Sequence, residues 1–286
     1  MAEPILEYSN VGLSFDDKRV LSGVSFSVLP GDTYILLGAA GSGKTLLLKL
    51  AISLLQCDEG SIRLLGRDIT RLRESEMFDL RAEVGILFQE GGLFDSLTIA
   101  ENVGYPLRNQ KNSNTNEDQI EARVKASLDF VELGHTLDKF PSELSGGMRR
   151  RVGIARASVT NPKLSLYDSP TAGLDPITAH TIMSLIVKER EIRHTTTVLV
   201  THRYQDGAMM ANYRWDKNRN TVYRAAPWGE YANLRTTFLV MNEGRNVFRG
   251  TQQELEACRD PYVSQFVLRQ PPPKSGAELY QGHLPA

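Results

Sequence analysis

The chain has 286 residues, room for one large domain or two modest ones, and its 33 basic and 34 acidic side chains give a formal charge of -1, which excludes a net field that would draw it onto nucleic acid or anionic lipid. Its two cysteines, Cys57 and Cys258, have neither metal-ligand spacing nor the density of a disulfide scaffold, so they are expected as packing residues in a reducing compartment. No apolar run approaches the roughly 20 residues of a bilayer span, and Met1-Ala2-Glu3-Pro4 lacks the basic, then apolar, plan of a signal peptide; a cytoplasmic protein that meets membranes only through a partner is expected.

In chain order, Ile5 to Phe15 and Val24 to Val28 alternate as strands. Pro30-Gly31-Asp32 then turns the chain into the apolar run Thr33-Tyr34-Ile35-Leu36-Leu37, a buried strand that enters Gly38-Ala39-Ala40-Gly41-Ser42-Gly43-Lys44-Thr45. This octet fits the G-x-x-x-x-G-K-[ST] phosphate loop, and Leu46 to Leu55 after it reads as a helix buried on most faces, so the required strand, loop and helix are all present. The glycines let backbone N–H groups turn inward, and the helix start adds a positive dipole end. Lys44 supplies a point charge for the outer phosphates and Thr45 a hydroxyl for Mg²⁺.

Further strands are expected at Gly60 to Gly66 and at Val84 to Gln89, and from Thr98 the pattern turns helical. Asn109 to Asp118 is too polar to order itself by burial and reads as a surface loop, after which helical periodicity resumes over Ile120 to Leu133. More helix follows Ser145, and the strands Leu164 to Tyr167 and Thr197 to Thr201 flank a helix from Pro176 to Arg190. Strands alternating with helices predict a mostly parallel sheet covered on both faces, with the helical middle inserted. Pro271 to Ala286, rich in proline and polar groups, is expected as a disordered tail or one draped on a partner.

Leu144-Ser145-Gly146-Gly147-Met148, followed by Arg149-Arg150-Arg151-Val152-Gly153-Ile154-Ala155-Arg156-Ala157, closely resembles the signature motif of ABC transporter ATPases. Ser145 reads physically as an N-cap whose neighbouring N–H groups make a second anion site at a helix start. The order of phosphate loop, signature and apolar strand is also that of the family, and the resemblance runs from about Ile5 to Val267. It implies an α/β fold of the P-loop NTPase (RecA-like) kind: a mostly parallel sheet core, an N-terminal antiparallel β part and an inserted α-helical subdomain. The corresponding division is residues 1–90 and 160–250 for the nucleotide-binding core, 91–159 for the helical subdomain with the signature, 204–236 for a surface insertion, and 251–286 for a C-terminal helix and flexible tail. It further implies a homodimer, in which the signature of one subunit closes over ATP held by the other, bound under an integral membrane permease at the inner face of the plasma membrane.

Residue by residue, the resemblance places Phe15 where the family stacks an aromatic ring on adenine. Gly38, Ala39, Ala40, Gly41, Ser42, Gly43, Lys44, Thr45 and Leu46 form the phosphate cradle, with Leu46 replacing a common second hydroxyl. Gln89 matches the glutamine that reaches the metal and the attacking water while touching the membrane subunit. Asp168 matches the Mg²⁺-linked aspartate, which makes Thr45, Gln89 and Asp168 the metal set, with ATP and Mg²⁺ as the implied cofactors. Ser145, Gly146 and Gly147 contact the partner's ATP, Asp175 ends the Ala172-Gly173-Leu174-Asp175 loop between the two sites, and His202 matches the histidine that senses the γ-phosphate. Phe88 to Thr98, Glu101 to Arg108, Met148, Asp175-Pro176-Ile177-Thr178 and Asp260 to Phe266 look like the Mla-type branch, whose members drive phospholipid or other lipid transport with MCE-domain proteins; nucleic acid is not an expected partner. The lipid rests on that resemblance alone.

Two departures stand out. Ser169 occupies the position where the family uses a glutamate to polarise water, and losing a general base costs about 10²- to 10⁴-fold in rate. One reading is a slow or inactive ATPase that senses nucleotide; the other is that Glu90, where relatives tend to carry a small residue, supplies the carboxylate from the facing loop. Glu90 as a solvated loop acid is the alternative to that exchange. The second departure is a long stretch, Tyr213 to Asn220 with Ala226-Pro227-Trp228-Gly229, read as an inserted hairpin with Asn218-Arg219-Asn220 near its tip, either a partner surface or an inert addition.

Overall fold

The computed structural model describes residues 3–110, 116–225 and 236–268. The centre of the polar loop between Asn109 and Asp118, the Ala226-Pro227-Trp228-Gly229 stretch and the tail from Pro271 lie outside the described residues.

The N-terminal part runs β1 (Leu6–Phe15), β2 (Lys18–Val28), β3 (Thr33–Gly38), α1 (Lys44–Ala51), β4 (Glu59–Leu64), β5 (Arg67–Asp68), α2 (Glu74–Ala82) and β6 (Val84–Leu87). The middle is helical, with α3 (Ile99–Arg108), α4 (Glu117–Phe130) and α5 (Gly146–Ser158). There follow β7 (Leu164–Asp168), α6 (Pro176–Arg193), β8 (Thr196–Val200), α7 (Tyr204–Asn212), β9 (Tyr213–Asp216), β10 (Thr221–Arg224), β11 (Thr236–Asn242), β12 (Arg245–Gly250), α8 (Gln252–Ala257) and α9 (Pro261–Leu268).

The central sheet has the order β12-β11-β3-β8-β7-β6 and is parallel except for the β11–β12 pair. Every residue of β3, β7 and β8 is buried, which is why these strands read as unbroken apolar runs. Alternation along β3 divides its side chains between two cores: Tyr34 and Leu36 pack with the antiparallel sheet β2-β1-β4-β5, while Ile35 and Leu37 pack under the helical middle and α6. This is the α/β architecture expected, with its antiparallel N-terminal part. It sets the C-terminal ends of β3, β6, β7 and β8 along one edge, where a parallel sheet presents its loops.

Helix ends differ from the sequence expectation for one physical reason. The helix expected over Leu46 to Leu55 stops at Ala51 because Ser53 turns left-handed (φ 53°), with Ser53 N–H bonding Leu50 O at 3.0 Å and Leu54 N–H bonding Lys49 O at 2.9 Å. The helix expected to reach Leu133 stops at Phe130 through the same pair of bonds around Glu132 (φ 63°). Neither stop carries a glycine, so nothing in the hydrophobic pattern marks it. The helix from Pro176 runs on to Arg193 and ends at left-handed His194.

The segment 204–236, expected as a surface insertion, opens instead with a core helix. In α7, a Cβ on Gly207 would lie 2.7 Å from Phe238 and 2.9 Å from Ile35, so the helix presses directly on the sheet. The hairpin begins only at Tyr213: β9 pairs antiparallel with β10, and the Asp216 carboxylate accepts Asn218 N–H at 2.9 Å and Arg219 N–H at 3.2 Å in its turn. It packs on α6, where Lys188 Nζ stands over the rings of Phe130 (4.4 Å) and Trp215 (4.8 Å).

Candidate functional site

The loop between β3 and α1 needs glycine at two points. A Cβ on Gly38 would sit 2.5 Å from Met241 O, and one on Gly43 would sit 2.6 Å from Leu21, both with positive φ. The first turn of α1 has no side-chain cap and no acid, which leaves its N–H groups to face whatever the loop encloses. Lys44 Nζ donates to Gly38 O (2.9 Å), Ala39 O (2.7 Å) and Ser42 Oγ (3.1 Å). Burial pushes its ammonium down to about 8, against the opposing pull of the Asp168 carboxylate. A buried cation and a row of N–H donors together fit an anion.

A cavity of about 500 Å³ lies over this loop. Ala40, Gly41, Gly43, Lys44, Thr45 and Leu46 line one wall, and Gln89, Ser169, Ala172, Val200 and His202 line the other, so four strand ends converge on it. Asp168, the last residue of β7, is buried beside it, and its Oδ1 accepts Ser169 Oγ at 3.1 Å. Ser169 is itself left-handed (φ 48°), held by its N–H on Val200 O at 2.8 Å. The hydroxyl of Thr45, the amide oxygen of Gln89 and the carboxylate of Asp168 are hard oxygen donors of the kind Mg²⁺ takes.

The remaining residues singled out by sequence stand outside the cavity lining. Phe15 is 45% exposed at the end of β1, and Glu90 is exposed. Ser145 caps α5, its Oγ accepting Met148 N–H at 3.3 Å, and Gly147 lies so near Thr178 that a Cβ would approach to 2.5 Å. Asp175 caps α6 through Ile177 N–H and Thr178 N–H, both at 3.0 Å.

Two residues that sequence reasoning passed over organise the loops. Arg150 of α5, only 9% exposed, donates to Pro170 O (2.6 Å), Ala172 O (2.9 Å) and Ser169 O (3.4 Å), clasping the turn after β7. Burial pushes its guanidinium down from the ordinary arginine value, and the Glu90 carboxylate works against that. Its only sequence signal was membership of the Arg149-Arg150-Arg151 run. Tyr262 of α9 accepts Ala39 N–H at 3.3 Å and donates to Met241 O at 3.0 Å, bracing the phosphate loop from the far end of the chain. The loop after Gln89 is pinned as well, by Arg156 on Gly91 O (3.1 Å) and by the Asn102 amide, which both accepts from Phe94 N–H (2.8 Å) and donates to Phe94 O (3.0 Å).

Residues 21–172, over half of the chain, match the family model described as ABC transporter. Among curated proteins, a methionine import ATP-binding protein of Bifidobacterium longum is 36% identical over 71% of this chain and 52% of its own length. A probable ribonucleotide transport ATP-binding protein of Mycobacterium leprae is 37% identical over 69% of this chain and 56% of its own. The chain thus spans about half the length of the curated relatives it matches. Among solved structures, a dimeric ATP-binding cassette in a post-hydrolysis state with ADP and Pi is similar at a TM-score of 0.70 and 26% identity, over 86% of this chain and 98% of that one. A component of the ABC transporter complex cbiONQ of Clostridium perfringens, cbiO1, is similar at 0.73 and 26%, over 93% and 94%.

Proposed function

Because the chain belongs to the ABC transporter family, we propose that it is the ATP-binding subunit of an ABC transporter, acting as a homodimer under an integral membrane permease at the inner face of the plasma membrane. The observation that carries this reading is the convergence of the phosphate loop, Gln89, Ser169 and His202 on one cavity beside Lys44. Lys44 and the loop N–H groups hold the ATP phosphates, Phe15 stacks on adenine, and Ser145, Gly146 and Gly147 close over the nucleotide of the second subunit. Thr45, Gln89 and Asp168 hold Mg²⁺, which when bound neutralises charge on the phosphates. His202 senses the outer phosphate, Gln89 orients water, and Asp175 ends the loop between the two sites.

A permease needs a surface. A second cavity of about 370 Å³ is lined by Phe88, Phe94, Tyr105 and Arg156 beside the Gln89 loop, and the Phe94 and Tyr105 rings, 4.8 Å apart, are 43% and 42% exposed. Such paired aromatics suit an apolar helix end. No described helix is long and apolar enough to cross a membrane.

The two relatives are named for methionine and for ribonucleotides, so their names do not agree on a cargo. We propose a lipid, passed between membranes with MCE-domain proteins, on the resemblance of Phe88 to Thr98, Glu101 to Arg108 and Asp260 to Phe266 to Mla-type ATPases. Co-purification with a permease followed by transport in liposomes tests it. ATP-dependent movement of phospholipid is expected, and movement of methionine or a nucleotide without lipid would overturn the assignment.

For hydrolysis, we propose that Glu90 supplies the carboxylate missing at Ser169; its support is Arg150, which holds the Ser169 turn and whose charge the Glu90 carboxylate favours. Glu90→Gln is expected to slow the complex by about 10²-fold or more; near wild-type turnover would sink the exchange. A second reading, a nucleotide-sensing regulatory subunit, is favoured by the Ser169 hydroxyl being engaged on Asp168. Under it the parent hydrolyses little ATP and Ser169→Glu raises turnover by about 10²-fold or more.

A further inference from the structure

Behind the cavity, one buried carboxylate ties two of its loops together. Asp206, in the first turn of α7 and 2% exposed, uses a single oxygen, Oδ2, to accept Thr171 Oγ1 at 2.5 Å and Thr201 Oγ1 at 2.7 Å. Thr171 opens the turn after β7, in which Ala172 N–H bonds Ser169 O at 3.0 Å and Leu174 N–H bonds Thr171 O at 3.2 Å. Thr201 precedes His202, and its Oγ1 also accepts Arg203 N–H at 3.0 Å from the other side of that histidine. His202 therefore stands between two residues whose positions both refer to Asp206. Arg203 Nε, 3.7 Å from Asp206 Oδ1, is the cation facing it.

An acid in the first turn of a helix ordinarily serves its own helix, through the dipole or a capping bond. Asp206 instead spends its carboxylate on hydroxyls from two other segments. Each hydroxyl has one proton to donate and both threonines are 1% exposed, so removing the carboxylate strands two buried donors at once. Burial pushes the Asp206 carboxyl above its ordinary value, while the bonds from Thr171 and Thr201 and the charges of Arg203 and His202 pull it back down.

We propose that Asp206 is a positioning residue that holds the turn after Ser169 and the turn carrying His202 as one body, so that Ala172 and His202 keep a fixed separation in the cavity wall. Its effect on turnover rests on the cavity taking ATP as proposed above; its effect on the two turns does not.

Hydrogen exchange on the full chain without nucleotide reads the turns directly. In Asp206→Ala, exchange at Thr171 to Leu174 and at His202 to Arg203 is expected to quicken together, by about tenfold or more, while β3 stays protected. Asp206→Asn keeps a carbonyl oxygen able to accept both hydroxyls and is expected to stay near wild type. Loosening of one turn only, or equal loosening in the Ala and Asn variants, would overturn the proposal. In the active complex, Asp206→Ala is expected to lower kcat by about 10- to 100-fold with little change in KM, since misplacement of about 1 Å is enough for such a loss. If Asp206→Ala does not fold, Thr171→Val and Thr201→Val decide: their combined effect on exchange must be non-additive, and simple addition overturns the shared anchor. A parent that binds ATP without turnover would sink the hydrolytic reading alone, with the exchange result standing for or against Asp206.

Discussion

Lys44 sets a pH signature for the nucleotide site. Its ordinary value is 10.5, and burial lowers it to about 8. A lysine lowered in this way is charged below about pH 8 and sheds its proton above it, whereas the phosphates need the charged form. ATP affinity is therefore expected to be level near neutrality and to fall as pH rises through 8, approaching about tenfold per unit beyond it. Fluorescent-nucleotide titrations across that range check this, and Lys44→Arg, which stays charged, should bind without the slope. Arg150 makes a second expectation at this scale. Glutamine cannot reach three carbonyls, so Arg150→Gln is expected to cost about 1–3 kcal/mol in a denaturant melt and to loosen the Ser169 turn. Lys44 was legible because its chemistry lies within eight consecutive residues. Arg150, Asp206 and Tyr262 were not, since their partners stand 20, 35 and 223 residues away in the chain.

Among elements, β6 and α5 show how tightly the Gln89 loop is placed. A Cβ on Gly85 would lie 2.2 Å from Ala157 O and 3.0 Å from Pro162 Cγ, so Gly85→Ala must drive the strand off the helix. A loss of about 2 kcal/mol or more is expected by thermal melt, with weaker ATPase stimulation because Gln89 follows that strand. Ser145→Ala removes an N-cap and is expected to lower stability by about 1 kcal/mol. The strands of the parallel sheet were readable from their unbroken apolar runs. Helix ends were not, because Ser53, Glu132 and His194 adopt left-handed backbone without being glycine. Helix α2 escaped notice because only Met77 and Leu80 of its nine residues are buried, too few to imprint a period.

For the whole molecule, the aromatic groove and the nucleotide cavity are joined by the loop that begins at Gln89 and ends at Thr98. Phe94→Glu with Tyr105→Glu is expected to abolish co-purification with a permease while leaving ATP binding by the isolated chain unchanged; retained co-purification would move the permease contact elsewhere. The sequence by itself determined the phosphate loop, the signature helix start and the alternation of strand and helix, because each is written in neighbouring residues whose backbone preferences and burial act locally. Only the tertiary structure decided which side chains stand behind them: Arg150 under the Ser169 turn, Tyr262 against Ala39, and Asp206 between Thr171 and Thr201. Those contacts depend on how β7, β8, α5, α7 and α9 pack, and a hydrogen bond between distant segments leaves no period in either one.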